Sequence, residues 1–174
     1  PVLIELTLDI LVPKNAIIID HHNEKENEPA SLEQIADLLN IKLNRWQQLV
    51  AANDRGHIRA LKEICASEKE INDIRKADKA AQGVTEEDES LAKKSIDENK
   101  HEVIGATIIR SLSNKFSPIT DLMYGKTDKL LIYNDNSLLY IGNGKPKLVK
   151  RYKKLVDEHK AFYGGGEKGY FGMS

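Results

Sequence analysis

The stretch from Ala16 to His22 reads AIIIDHH and constrains the fold more than any other part of the chain. An alanine and three isoleucines run without polar interruption into an aspartate and two histidines. A continuous apolar run of this kind is typical of a central strand in a parallel sheet that is covered on both faces. In open α/β sheets, ligands bind just outside the carboxyl ends of such strands. We therefore expect a buried strand that presents Asp20, His21 and His22 at its end.

The polar side chains at this strand end are able to bind a metal ion. Imidazole nitrogen and carboxylate oxygen together suit a divalent ion such as zinc, manganese or iron, and a single cysteine in the chain argues against a thiolate site. One hypothesis is metal-assisted hydrolysis at residues 20–22. The other is that two neighbouring histidines at a strand end are ordinary polar surface residues, and the spacing is compatible with both.

The composition indicates a globular protein without disulfides or membrane spans. The chain has 174 residues, enough for one moderate domain or two small ones. Its formal net charge of -1 gives no overall attraction to nucleic acid. No apolar run reaches the ~20 residues of a membrane span, and the first residues lack the basic region of a signal peptide. We expect a cytoplasmic protein with no membrane contact, whose single cysteine, Cys65, lies in the core.

Other elements are predicted on either side of the AIIIDHH segment. Residues 2–8 read VLIELTL and predict a first strand that ends at Asp9. After the segment, Ser31 and Gln34 have the spacing of a capping box, in which the serine caps the start of a helix.

A second helix is predicted over about residues 44–52, with Trp46 on its apolar stripe and therefore in the core. This helix runs into Asp54 and Arg55, followed by Gly56, which can adopt a left-handed conformation at a helix end. The segment is either a simple helix stop or a rigid helix end that carries Asp54 towards the metal.

The chain from Ile58 to about Asn99 is predicted to be helical and highly charged. Gly83 divides it, and Thr85 has the position of an N-cap before a run of acidic residues. We expect a boundary between two lobes either in the region from Gln82 to Glu89 or near Asn99.

The second lobe is predicted to contain strands as well as helices. A strand is predicted over residues 103–109, and residues 130–133 and 138–141 form a hairpin through an Asn-Asp-Asn turn. Residues 148–159 are predicted to form one amphipathic helix. Its polar side carries the one local basic cluster, which comprises Lys147, Lys150, Arg151, Lys153 and Lys154.

The chain closes on a glycine-rich segment, AFYGGGEKGYFG, at residues 161–172. Three consecutive glycines allow a sharp turn or bring backbone amides close to a ligand, commonly a phosphate. Glycine clusters also occur in plain flexible loops, so both uses stay open.

In combination, these features resemble the DHH phosphoesterase superfamily. The segment IIIDHH, the helix-end acid Asp54 and the terminal glycine motif occur in the order of that family. Its members include RecJ-type exonucleases, phosphodiesterases of short oligoribonucleotides and cyclic dinucleotides, and manganese pyrophosphatases. The resemblance implies an α/β protein with part of a doubly wound parallel-sheet lobe over residues 1–99. A smaller α/β DHH-associated lobe would occupy residues 100–174.

The resemblance also implies a metal-dependent hydrolase that cleaves a phosphodiester or phosphoanhydride bond. His21 and Asp54 would bind Mn²⁺ or Mg²⁺, with Asp9 as a further ligand and two ions in the complete protein. Such paired ions activate water and polarise the phosphoryl group. The implied substrates contain phosphate and include short RNA, short DNA and dinucleotides.

Further roles follow from the same resemblance. Asp20, His22 and Arg55 would be catalytic: Asp20 would orient the imidazoles, His22 would face the phosphate and Arg55 would contact it. The phosphate-binding segment of the second lobe would comprise Gly164, Gly165, Gly166, Glu167 and Lys168.

Three positions depart from the family pattern. The family's strand-end motif with two aspartates has no counterpart, so we expect the chain to be a fragment that begins after this motif. The chain ends just after the glycine-rich segment, and we expect a cut there as well. Asp9 lies closer to the DHH segment than the corresponding family aspartate. Glu167 stands where the family has histidine. The alternative function is therefore a catalytically degenerate relative that binds nucleotides or nucleic acid.

Overall fold

A computed structural model of the chain describes residues 1–6 and 11–174. The described residues form seven α-helices and eight strands, so the predicted mixed α/β class is confirmed. Contacts divide the chain into two compact units, Pro1–Ile74 and Arg75–Ser174. The family-based boundary near residue 99 stays a prediction.

The first unit contains a two-stranded parallel sheet that carries the Asp-His-His segment. Strand β1 (Val2–Ile4) pairs in register with strand β2 (Ile17–Ile19). Beyond β1, the N–H of Glu5 donates to the carbonyl oxygen of Ile19 at 2.9 Å. Because parallel strands end at the same edge of a sheet, Glu5 lies beside the Asp-His-His segment. Asp9 falls in residues 7–10, outside the described residues, and so does the end of the predicted first strand.

The Asp-His-His strand is present, but the prediction that it is buried throughout is wrong. Ile19 is 2% exposed, whereas Ile17 and Ile18 are 45% and 41% exposed. Among the described residues, β2 has a single strand neighbour, β1. A strand with one neighbour has less cover than the central strand of a larger sheet, so only the residue that leads into the site is buried.

Helix α1 (Ser31–Leu38) begins one residue earlier than the predicted capping box requires. Ala30 is the N-cap, and its N–H donates to Oε2 of Glu33 at 2.9 Å. A glutamate at this position satisfies the first backbone donor as well as a glutamine does. The side chain of Gln34 is engaged elsewhere, with the carbonyl oxygens of Asp20 and Pro29.

Helix α2 (Arg45–Glu63) is interrupted two residues after Asp54, where the sequence predicts a helix end. The left-handed residue is His57, with a φ of 58°, and the prediction that Gly56 takes this conformation is wrong. Gly56 has a φ of -161°, which is extended backbone. A glycine is needed there for a different reason, because a Cβ would lie 2.8 Å from the Cβ of Ala60.

The core of the first unit lies between α2 and the first half of α3 (Glu68–Ala81). Its buried residues are Leu49, Ala52, Ile58, Ala60, Leu61, Ile71 and Ile74. Two residues predicted in the core are exposed. Trp46 lies in the first turn of α2, before this cluster, and Cys65 follows the helix end with a φ of 55°, where the chain turns towards α3.

The second unit is built on a six-stranded mixed sheet with the order β3-β4-β5-β6-β8-β7. The strands are β3 (Lys100–Val103), β4 (Ala106–Arg110), β5 (Lys129–Tyr133), β6 (Leu138–Gly142), β7 (Ala161–Gly164) and β8 (Tyr170–Met173). Strands β4 and β5 are parallel, and the other neighbouring pairs are antiparallel. Helices α4 (Glu86–Asn99) and α5 (Ser117–Met123) pack against one face. The buried residues there are Ala92, Ile109, Ile119, Met123, Leu130 and Ile132.

Two predictions for the second unit are confirmed. Thr85 caps α4, because its Oγ1 accepts from the N–H of Asp88 while the Asp88 carboxylate accepts from the N–H of Thr85. Strands β5 and β6 form the predicted hairpin, and the Oδ1 of Asn134 closes its turn by accepting from the N–H groups of Asn136 and Ser137.

Two other predictions for this unit are wrong. Residues 103–109 are not one strand: they run from the end of β3 through a two-residue turn into β4. In this turn, Ile104 and Gly105 have φ values of 50° and 71°. The helix predicted over residues 148–159 is two helices, α6 (Lys145–Arg151) and α7 (Lys153–Asp157), which break at Tyr152. The break divides the basic cluster, and Lys153 pairs with Asp157 on its own helix at 2.9 Å.

Candidate metal centre

The carboxyl edge of the two-stranded sheet brings metal-capable side chains from three segments together. Glu5 follows β1, His21 and His22 follow β2, and Asp54 lies on α2 just before its interruption. Glu5 has a φ of 49°, a left-handed conformation that is uncommon for residues other than glycine. Its backbone therefore turns at the point where its side chain joins the histidines.

The imidazole of His21 is the buried centre of this group, with 6% of its side chain exposed. Its Nε2 lies 3.0 Å from Oδ2 of Asp54 and 3.3 Å from Oε1 of Glu5. Both oxygens lie within ion-pair distance of Nε2, although Nε2 has no partner among the described residues that meets the full geometry of a hydrogen bond. A buried nitrogen that lies between two carboxylates, without a well-aligned hydrogen bond to either, fits a metal ligand, because a cation between them would satisfy all three groups.

Asp20 holds the neighbouring histidine. Its Oδ1 lies 3.1 Å from Nδ1 of His22 and accepts from the backbone N–H of His22 at 3.1 Å. Burial raises the pKa of Asp20, but these contacts with His22 outweigh burial and lower the pKa below its usual value. An ionised Asp20 favours a proton on Nδ1 of His22, which leaves Nε2 with a free lone pair.

Glu5, His21 and His22 each offer a ligand atom, and these atoms lie within 4.8 Å of one another. Two imidazoles and a carboxylate suit manganese, iron or zinc, so the predicted donor chemistry fits the residues that are present. His22, expected to face a phosphate, lies in this group. Glu5 was not predicted as a ligand. It is the first polar residue after the apolar residues VLI, and parallel pairing of this strand with the Asp-His-His strand would have placed it at the site.

The carboxylates around His21 change its pKa. The approach of the Asp54 carboxylate to hydrogen-bonding distance raises the pKa of His21 above its usual value. Burial opposes this change, and the negative charges of Asp54, Glu5 and Asp20 add to it. The site therefore attracts a positive charge to Nε2, which either a proton or a metal ion can supply.

Arg55, a predicted phosphate contact, is engaged by another residue. Its Nη1 donates to both carboxylate oxygens of Glu33, at 2.9 and 2.7 Å. The pair links α2 to α1.

The glycine-rich segment of the second unit forms the hairpin between β7 and β8. Gly165 and Gly166 have φ values of 74° and 70°, and Glu167 and Lys168 lie in the turn that follows. A Cβ on Gly169 would overlap the carbonyl oxygen of Gly164. The positive φ of Gly165 and Gly166 and the tight packing at Gly169 are thus sufficient reasons for these three glycines, and the phosphate-binding role of residues 164–168 stays a prediction.

Comparison with known proteins gives no match to a family model, to a curated protein or to a solved structure. Among the described residues, no helix is both long and apolar enough to cross a membrane.

Proposed function

We propose that this chain is a metal-dependent phosphoesterase of the DHH type, which hydrolyses a phosphodiester or phosphoanhydride bond. The observation that supports this most strongly is the buried Nε2 of His21, which lies 3.0 and 3.3 Å from the carboxylates of Asp54 and Glu5 without a well-aligned hydrogen bond to either. The site lies at the carboxyl edge of parallel strands, where α/β enzymes bind their ligands. On this proposal, the two-stranded sheet is part of a doubly wound lobe and the six-stranded sheet belongs to a DHH-associated lobe.

The residues of the chain divide the work as follows. Glu5, His21 and His22 would hold a divalent ion, with Mn²⁺ or Mg²⁺ as the expected ions. Asp54 lies outside this group of three, but its Oδ2 is 3.0 Å from Nε2 of His21, and it would be a further ligand. When bound, the ion would polarise a phosphoryl oxygen and acidify water. Asp20 orients the ring of His22 through Nδ1. The other ring nitrogen of His22, Nε2, is therefore directed away from Asp20.

A second candidate is a binding module that has the same fold and no hydrolytic activity. The described residues contain one group of three candidate ligands, which suits one ion rather than two. In addition, Glu167 places a negative charge beside the glycines at the hairpin where a phosphate would bind.

The two candidates are separated by a hydrolysis assay on the whole chain with Mn²⁺. The substrates are a short RNA, a short DNA, a linear dinucleotide and an inorganic polyphosphate. We expect cleavage of at least one substrate, and its loss in His21→Asn. The control variant is His101→Asn, which replaces an exposed histidine on β3 and should retain activity. Metal binding without hydrolysis of any substrate would favour the binding module.

A further inference from the structure

Two consecutive residues of α1 hold the two chain segments that meet at the candidate metal centre. The first connection is made by Gln34. Its Nε2 donates to the carbonyl oxygen of Asp20 at 3.0 Å and to that of Pro29 at 2.8 Å. Asp20 directly precedes His21, so this bond ties the end of β2 to α1 at the position of the buried ligand.

The second connection is made by Glu33. Its two oxygens accept from Nη1 of Arg55, and Oε2 also accepts from the N–H of Ala30 at 2.9 Å. Arg55 follows Asp54, whose Oδ2 lies 3.0 Å from Nε2 of His21. The ion pair therefore fixes the turn of α2 that carries Asp54.

This turn of α2 needs an external restraint. His57, three residues after Asp54, has a φ of 58° and a ψ of -147°, a combination that residues other than glycine rarely adopt. The regular backbone of the helix stops there, and the last turn before a break lacks the hydrogen bonds of a helix interior. The pair of Arg55 with Glu33 supplies a fixed point next to Asp54.

We propose that Glu33, Gln34 and Arg55 are positioning residues that set the affinity of the site for a divalent metal. They would do so by keeping Asp54 and His21 in register with each other. This inference rests on the proposed metal centre. None of the three residues belongs to the group of candidate ligands, so each acts through the segment that it holds. Loss of an outer contact of this kind typically weakens metal binding by about 10–100-fold.

The chain contains a matched control for Glu33. Glu70 forms an ion pair with Arg45 through two contacts, at 2.7 and 3.1 Å. It also accepts from the N–H of Ser67 at 2.8 Å at the start of α3. Glu70 thus combines an arginine pair with a helix cap, as Glu33 does, but is not connected to the candidate ligands by any of these contacts.

A matched control also exists for Gln34. Gln48 donates from Nε2 to the carbonyl oxygen of Leu43 at 3.0 Å, at the start of α2. The change of glutamine to glutamate removes a donor and places a carboxylate against a carbonyl oxygen at both positions. Only the change at Gln34 disturbs the strand end that leads to His21.

The experiment is calorimetric titration of the whole chain with Mn²⁺, together with thermal unfolding in EDTA. We expect Glu33→Gln and Gln34→Glu to raise the Kd for Mn²⁺ by about 10–100-fold. The controls Glu70→Gln and Gln48→Glu should change the Kd by less than about threefold, even where they lower the unfolding temperature as much. Equal Kd values for the site variants and their controls would overturn the inference and leave a purely structural role.

A second pair of variants covers the case in which Glu33→Gln or Gln34→Glu does not fold. Arg55→Lys keeps the charge but replaces the planar guanidinium by an ammonium group on a shorter side chain, and Arg45→Lys makes the same replacement at the control pair. Weaker Mn²⁺ binding in Arg55→Lys alone supports the inference, and equal binding overturns it. Failure of the proposed metal centre has a different outcome, since the unmodified chain would then bind no Mn²⁺.

Discussion

In the metal-free site, protonation of the His21 imidazole makes the stability of the fold depend on pH. Its pKa lies above the usual value because the Asp54 carboxylate stabilises the protonated ring more than burial destabilises it. A raised pKa in the folded state means that His21 stabilises the fold fully at pH values below its unfolded pKa of about 6.5. This stabilisation is lost as the pH rises through the folded pKa.

We predict that the free energy of unfolding in EDTA falls with rising pH through this window, and that His21→Gln removes this component. Urea denaturation of the unmodified chain and the variant at a series of pH values measures the difference. A difference between the two proteins that does not change with pH would contradict the assigned pKa shift.

Glu5 shows why the ligand set could be predicted only in part from single residues. The Asp-His-His segment and Asp54 stand out because polar groups follow an apolar run or a helix. Glu5 lies inside the pattern VLIELTL, in which alternating polar residues are typical of the solvent side of a strand. Its role depends on a turn of the backbone directly after Ile4 and on parallel pairing of β1 with β2. The local sequence pattern predicts neither of them.

At the level of helices and strands, α3 and α5 are joined in the second unit by a buried ion pair. Arg75 is almost fully buried, and its Nε and Nη2 lie 3.0 and 2.9 Å from Oδ1 of Asp121. Arg75 also donates from Nη1 to Oδ2 of Asp78 at 2.7 Å, so loss of Asp121 would leave the buried guanidinium with one of its two carboxylate partners. Loss of a hydrogen-bonded partner from a buried charge is more costly than loss of an exposed pair.

We predict that Asp121→Asn lowers the free energy of unfolding by about 2 kcal/mol. The control is Asp135→Asn, because Asp135 pairs with Arg110 at 3.0 Å on the surface and should cost less than about 1 kcal/mol. Chemical denaturation of both variants checks the prediction. Similar losses in the two variants would show that the buried pair does not stabilise the second unit.

Local signals predicted some elements and missed others for identifiable reasons. The turn at Asn134–Asn136 and the cap at Thr85 use residues whose side chains bond to nearby backbone, so both were predicted. The turn at Ile104 was missed because a β-branched residue rarely adopts a positive φ, and VIGATII has the composition of one strand. The break at Tyr152 was missed because the apolar spacing continues across it.

At the scale of the whole molecule, the mixed α/β class could be predicted, but the burial of each strand could not. An apolar run indicates that a strand has partners and does not tell how many. Ile17 and Ile18 are exposed because β2 pairs with one strand in the described part of the chain. The functional hypothesis therefore depends on the group at the strand end rather than on the number of strands.

The central claim is that this group binds a divalent metal ion through His21. The most direct measurement is a titration of the whole chain with Mn²⁺, in which the free ion is followed by electron paramagnetic resonance. We predict saturable binding to the unmodified chain and to His101→Asn, and loss of this binding in His21→Asn. Saturable binding of equal affinity in His21→Asn, or no binding to the unmodified chain, would contradict the account.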